Sequence, residues 1–327
     1  MKLESLLTQK DRMAGLKDKY EQIYSESDAW MYKKSHGVHS VILGAMAGDL
    51  NGGRYLDLGC GAGRLAIMAS HLAERALGVD FSAAAIDLAR ICAQASGRKN
   101  IEFQVGDLVR FCDECAEPFD VVSMVGVLEH VPDPQDTLAR VAGLVKPGGL
   151  LVVSCPNFVN FRGATYMTLL TLFDLPMSLA DLWQIDREHI AAWCPVAGLR
   201  LTKTLGAIYR FAWGDKSAAD MQKRVPLAVR DKGLPMPVDY PAYNRWLDRM
   251  TGFNQELLDW LRGQGVLKPI VKPVQIAVAP DIDLPDALRA QITLYLEEDI
   301  TSDPYWCETP PWSALGGEGI YLLRKPA

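Results

Sequence analysis

Apolar and polar positions along the chain change rhythm twice. In the first stretch Met13, Leu16, Tyr20 and Ile23 recur at helical spacing, and a second helix is expected from about His39 to Ala47. From Tyr55 onward, short apolar runs alternate with helix-length segments. Tyr55–Leu58 reads as a strand closing on a glycine turn, Gly59-Cys60-Gly61-Ala62-Gly63, with a helix following through Leu65, Ile67, Met68, Ala69 and Leu72. Ala76–Val79 is a second strand that ends at Asp80, and Ser82 is placed to cap a helix reaching about Ala95. Ile101–Val105 is a third strand, ending at Gly106-Asp107. Phe119–Val125 is nearly unbroken in its apolarity, as a strand covered on both faces should be. Gln135–Leu144 reads as helix, Pro147-Gly148-Gly149 as a turn, and Leu150–Ser154 as a fifth strand. Strand alternating with helix at this pace predicts βαβ units around a parallel sheet.

After the fifth strand the rhythm loosens. Residues 157–185 are apolar and irregular, a helix from about Glu188 to Ala197 leads into a sixth strand at Leu199–Ile208, and Gly319–Arg324 is strand-like again. Between them, residues 212–315 hold many prolines and separate helical patches such as Tyr243–Leu261 and Asp286–Leu296. The expected organisation is an N-terminal helical lid (1–50), a sheet domain (51–211), an inserted cap serving substrate or dimerisation (212–315), and a last strand returning to the sheet (316–327). A separate C-terminal domain with its own small sheet is the alternative. The aromatic residues of the insert suit an apolar acceptor pocket, a helical subdomain core or a homodimer interface.

Composition narrows the classes. The 327 residues are 49% hydrophobic and 23% charged, with a formal net charge of -6, so ordinary globular usage holds. No Lys/Arg run supplies the grip on phosphates that nucleic acid needs. No stretch has the roughly 18–20 apolar residues of a membrane span. The longest candidate, Tyr166–Trp183, is broken by Asp174, Pro176, Ser178 and Asp181. A peripheral membrane contact through Phe158–Trp183 is weighed and disfavoured by the missing basic face. Seven cysteines form no evident disulfide framework, and a reducing cytoplasm is the simplest home. Cys112 and Cys115 make an isolated CxxC, read as free thiols near a helix end; no metal site is expected.

The glycine turn is the chemical signal. Its spacing is GxGxG, not the GxGxxG of dinucleotide folds, and Asp57 stands two before the first glycine. Tyr55–Gly63 resembles the first motif of class I S-adenosylmethionine-dependent methyltransferases, and later landmarks follow that family's order. The resemblance implies a Rossmann-like α/β fold of seven mostly parallel strands. It also implies a cofactor cradle of Asp57, Gly59, Cys60, Gly61 and Gly63. Asp80, with Phe81 beside it, would accept hydrogen bonds from the ribose hydroxyls, and Gly106, Asp107 and Leu108 would read the adenine. Met124, Val125 and Glu129 would cross the methionine end. Val145–Leu150 resembles the turn before strand five. Val127–Pro134 resembles the matching segment of methyltransferases that modify ubiquinone precursors. Taken singly, Asp57 as a turn cap, Asp80 as an N-cap and Asp107 as a loop residue are equally open readings.

S-adenosylmethionine arrives activated, so a protein can hold it and show no obvious catalytic machine; S-adenosylhomocysteine is the product. His130 is one acid/base candidate. His189 is preferred, with Asp186 orienting its imidazole or merely capping a helix, since Asp186–His189 with Trp193 resembles a D-x-x-H stretch of another methyltransferase group. Tyr20, Trp30, Tyr32, His36, Asn157 and Trp193 are the candidate substrate residues. The acceptor is expected to be a small molecule of unread atom type, oxygen, nitrogen, sulfur or carbon. The rival readings are a non-catalytic S-adenosylmethionine-binding protein and a NAD-dependent oxidoreductase, which the GxGxG spacing disfavours.

Overall fold

The computed structural model describes residues 18, 21, 22, 24, 25, 37–173, 183–232 and 239–327. The sequence candidates Tyr20, Trp30, Tyr32 and His36 lie outside the described residues.

One mixed sheet of nine strands runs in the order β3-β2-β1-β4-β5-β9-β6-β8-β7. Its strands are β1 (Arg54–Leu58), β2 (Arg75–Asp80), β3 (Ile101–Val105), β4 (Phe119–Val125), β5 (Val145–Pro156), β6 (Arg200–Ala207), β7 (Lys268–Pro269), β8 (Tyr305–Cys307) and β9 (Glu318–Arg324). Strands β1 to β5 are parallel to one another, with Leu56 opposite both Leu77 and Val122. β9 lies antiparallel between β5 and β6, with Val152 opposite Leu322 and Leu205 opposite Ile320. The count is nine where seven were expected. The two additions, β7 and β8, extend the sheet past β6 and are two and three residues long. Runs that short carry no readable period.

Alternation explains why the central strands read as unbroken apolar runs. Successive side chains enter opposite cores: Val121 packs on one face, Val122 on the other, and Leu150, Leu151, Val152 and Val153 likewise alternate. One face is covered by helices Val38–Leu50, Arg64–Ala69, Ala83–Ala95 and Asp286–Leu296. The other is covered by helices Leu108–Glu114, Pro134–Gly143 and Arg187–Trp193. Helix starts follow the sequence chemistry. Ser82 Oγ accepts from Ala85 N at 3.1 Å, and Asp133 caps Pro134–Gly143, where proline takes a first-turn position that needs no donor.

Two parts of the expected organisation change. Helix Val38–Leu50 is not lid: Ile42, Leu43, Met46 and Leu50 are fully buried in the sheet's own core. The insert does two jobs. Helices Asp215–Lys232 and Tyr240–Gly263 join Phe161–Phe173 around Tyr166, Met221 and Leu247. Residues from Ile270 to Ile300 instead strap the sheet's back face, placing Ile270, Ile292, Tyr295 and Leu296 in the main core. Phe161–Phe173 was hard to read because apolar residues fall on every side of it, and Asp215–Lys232 because Pro226 stands inside it.

The strap also finishes the first helix. Gly37 begins Val38–Leu50 with no side chain to offer as a cap. Glu298, itself buried, accepts from His39 N at 2.8 Å and Ser40 N at 2.9 Å, and also takes the Ser40 hydroxyl. Burial pushes the His39 imidazole down to about 4 despite the carboxylate of Glu298, so the cap faces a neutral ring. Replacing Glu298 with alanine strands two backbone donors at once. We expect Glu298→Ala to cost about 1–3 kcal/mol, seen as a lower thermal midpoint in calorimetry.

Candidate active site

The order of strands reverses between β1 and β4, and the crevice above that switch point is where an open α/β sheet takes a ligand. The glycine turn sits there. Gly59 N and Cys60 N both donate to Val79 O, at 2.8 and 3.1 Å, folding the turn back over β2. Gly59 has φ 70° and Gly61 φ 53°, left-handed values that cost side-chain-bearing residues energy. A Cβ on Gly61 would stand 2.6 Å from the Tyr24 hydroxyl; one on Gly59 would collide with Val127.

Two carboxylates hold this turn. Asp80 ends β2 and divides its oxygens, Oδ2 accepting from Gly61 N at 2.8 Å and Oδ1 from Ser82 N at 2.9 Å. A carboxylate accepts more than one bond per oxygen, so this positioning role leaves acceptor capacity for ribose hydroxyls. Phe81, half-buried, follows it. Asp57 lies beneath the turn, buried, and accepts from Ser123 Oγ at 2.6 Å; the Tyr55 hydroxyl lies 2.6 Å from the same serine oxygen. Burial pushes the Asp57 carboxyl up to about 7, the Ser123 hydrogen bond opposes this, and the negative charge of Asp80 adds to it. The sign for stability follows. Below the ordinary carboxylate range Asp57 is neutral folded or unfolded; between there and about 7 only the unfolded form ionises, so its contribution to stability falls as pH rises.

At the end of β3 Gly106 N donates to Asp80 O at 2.9 Å, and Asp107 is exposed. Its carboxylate caps helix Leu108–Glu114 by accepting from Arg110 N at 3.0 Å, a role the loop-residue reading does not include. Leu108 is half-buried beside it. Met124 is different. Its side chain is fully buried in the core, so only its backbone can face a ligand. Val125 and Gly126 pass the crevice, and Gly126 N donates to Ser154 O at 3.0 Å. Glu129 is buried in the short turn Leu128–His130, 3.8 Å from His130 Nε2. Trp183 closes over this turn by donating to Glu129 O at 3.2 Å and, through Nε1, to Val131 O at 3.0 Å.

Asp186 and His189 meet. His189 Nδ1 is 2.7 Å from Asp186 Oδ1, and the same oxygen accepts from Glu188 N and His189 N, so cap and orienting partner are one group. Burial pushes the Asp186 carboxyl up, but these hydrogen bonds outweigh it and hold it below its ordinary value. The helix they begin runs back to the start of β6, which puts Asp186 and His189 at the same edge of the sheet as the glycine turn. His189 is half-exposed, its ring 5.5 Å from that of Trp193.

Asn157 does not serve as a substrate contact. Both amide protons are spent on Ala314 O (2.6 Å) and Gly316 O (3.0 Å), and its oxygen accepts from Val159 N. It stitches the loop after β5 to the turn before β9. Cys112 is a partly buried thiol pushed up to about 12 by burial, and Cys112 and Cys115 are free thiols. Among the described residues no cluster could hold a metal ion.

Four contributors were missed in the sequence. Ser123 was hidden in an apolar strand. Glu318 begins β9 and accepts from Ser154 Oγ at 2.7 Å at the crevice edge. Glu21 accepts from Ala84 N at 3.2 Å, and the Tyr24 hydroxyl lies against the glycine turn. These last two belong to the first helical pattern, but nothing local says which of its residues face the turn.

Strand order, turn and carboxylates define a Rossmann-like sheet built for a nucleoside-bearing, cationic cofactor. Comparison with known proteins gives the class. The family described as "Methyltransferase domain" matches residues 49–213, and the chain belongs to the S-adenosylmethionine-dependent methyltransferases. It is 35% identical over 168 residues to the ubiquinone biosynthesis O-methyltransferase of Aromatoleum aromaticum, covering 49% of this chain and 69% of that protein. It is 33% identical over 193 residues to the protein of the same name from Neisseria meningitidis serogroup C, covering 54% and 77%. The solved [4+2]-cyclase SpnF superposes with a TM-score of 0.50 at 13% identity, covering 95% of each chain, and so shares the fold alone. The chain is a methyltransferase that uses S-adenosylmethionine to modify a small molecule.

A methyl group on Gly61 would force both backbone strain and a clash with Tyr24. We expect Gly61→Ala to weaken S-adenosylhomocysteine binding about tenfold, from a left-handed penalty of about 1–2 kcal/mol, as measured by titration calorimetry.

Proposed function

We propose that this methyltransferase acts on a hydroxyl oxygen of a small acceptor, with His189 removing the proton and Asp186 positioning it. The observation that carries the reading is the 2.7 Å contact between His189 Nδ1 and Asp186 at the carboxyl edge of the sheet. Relatives bearing O-methyltransferase names support the choice of oxygen.

Bound S-adenosylmethionine supplies a methyl group on a positively charged sulfur. Asp80 and Phe81 would hold the ribose, Gly106, Asp107 and Leu108 the adenine, and the turn from Gly59 to Gly63, above Asp57, the methionine end. With Nδ1–H directed at Asp186, the His189 Nε2 lone pair is free to accept the acceptor's hydroxyl proton as that oxygen bonds the methyl carbon. The electron pair of the broken bond would stay with sulfur, so His189, on taking the proton, would become an imidazolium that the Asp186 carboxylate stabilises. Trp193, its ring tilted against that of His189, offers an apolar wall for an aromatic or apolar acceptor. Glu21 and Tyr24 close the cofactor side and keep water from it. Seven free cysteines support a reducing compartment such as the cytoplasm.

His189→Ala should lower kcat about a hundredfold or more while S-adenosylhomocysteine affinity is unchanged. Unaltered turnover on a hydroxyl acceptor would remove His189 from the chemistry.

The raised Asp57 gives a second expectation. A cationic ligand favours the ionised carboxylate, so affinity for S-adenosylmethionine should strengthen as pH rises from about 5 to about 7.5. Asp57→Asn should flatten that dependence in calorimetric titrations across the same range.

A further inference from the structure

Helix Tyr240–Gly263 has a buried apolar face and a second one largely in solvent, at whose start the Trp246 ring also lies 5.7 Å from that of Phe161. Leu247, Asn254, Leu258 and Leu261 are buried. Trp246, Phe253 and Trp260 are 46%, 58% and 56% exposed. Steps of seven residues bring these three rings to within about 20° of a common line, in a stripe about 21 Å long. Half-buried Met250 and Leu257 join the stripe to the buried face, making one continuous apolar arc with its edge in solvent. Isolated exposed hydrophobes are ordinary; three large rings in register on one helix mark an interaction surface.

Charge identifies the occupant. Along the solvent side of the stripe, Arg245 and Arg249 precede Phe253, and Glu256 and Asp259 follow it. Asp259 has a local partner in Arg262 at 3.2 Å, whereas Arg249 and Glu256 enter no ion pair among the described residues. An anionic bilayer would be repelled by the acidic half. A helix that is basic before a central ring and acidic after it is complementary to itself when reversed. About a two-fold axis at Phe253, Trp246 meets Trp260 of the second copy, and Arg249 faces its Glu256.

We propose that the chain self-associates as a two-fold dimer through antiparallel contact of helix Tyr240–Gly263, with Phe253 on the axis. Three half-exposed aromatic side chains supply on the order of 300 Å² per copy, below the ~800 Å² of a standard interface. The dimer is therefore weak, and its population depends on concentration.

Sedimentation equilibrium of the full chain, up to about 100 μM, tests this. The expected result is a monomer–dimer equilibrium for the natural sequence. Phe253→Glu should be monomeric throughout while binding S-adenosylhomocysteine as the natural protein does. Arg249→Glu and Glu256→Arg should each weaken association several-fold, and the double variant should restore it, which a merely sticky surface would not do. A natural chain that stays monomeric at every concentration overturns the proposal. So does a Phe253→Glu variant that still dimerises, or a double charge reversal no stronger than the single ones.

Discussion

The cofactor crevice depends on how Asp80 divides its two oxygens. One holds the amide of Gly61 in the turn after β1, and the other holds the amide of Ser82, which opens the next helix. Two loops from adjacent parallel strands are thereby fixed to one carboxylate, at the point where the strand order turns. Because those amides are anchored, the turn keeps its left-handed glycines, and the backbone stays bare where a ligand must approach. The same geometry leaves Asp57 buried near Asp80, and burial, with the charge of Asp80 adding to it, raises its proton affinity. Carboxylates that would otherwise repel one another become a receptor for positive charge.

Much of this was legible in the residues, for a physical reason. A parallel strand covered on both faces leaves a nearly unbroken apolar run, and Phe119–Val125 is legible to the residue. Ser82 was recognisable as a cap because a hydroxyl before a helix has one obvious use. What failed to show was whatever depends on distant partners. Asn157 looks like a polar residue at a strand end, available to a substrate, and only the fold reveals that Gly316 and Ala314 consume it. Met124 follows the same logic in reverse, since strand parity sends its side chain into the core. The roles of Asp107 and Asp186 were each posed as alternatives, and for Asp186 both are fulfilled by one oxygen.

The insert illustrates a different limit. Its aromatic residues were open to three readings, and the structure distributes them instead of choosing. Tyr295 is buried against Arg64, whose guanidinium lies 4.2 Å from its ring centre, directly behind the glycine turn. Trp213 donates to Leu315 O and fastens a helix to the approach of β9. Trp246, Phe253 and Trp260 stay outside. A single stretch of sequence thus braces the cofactor turn from behind, fastens the sheet edge and furnishes a surface.

The position of β9 has a consequence for the order in which the protein can be made. β5 and β6 do not pair with each other; both pair with β9, which follows the whole insert in the chain and so is made after it. Until Glu318–Arg324 emerges, the long β5 stands as an open sheet edge and β6 lacks its principal partner. Glu298, which caps the first helix from 258 residues downstream, is just as late. The cofactor half can collapse early, but its frame closes only once the insert and β9 have been made. A nascent chain stalled anywhere in the insert would expose an unpaired edge of the kind chaperones shield.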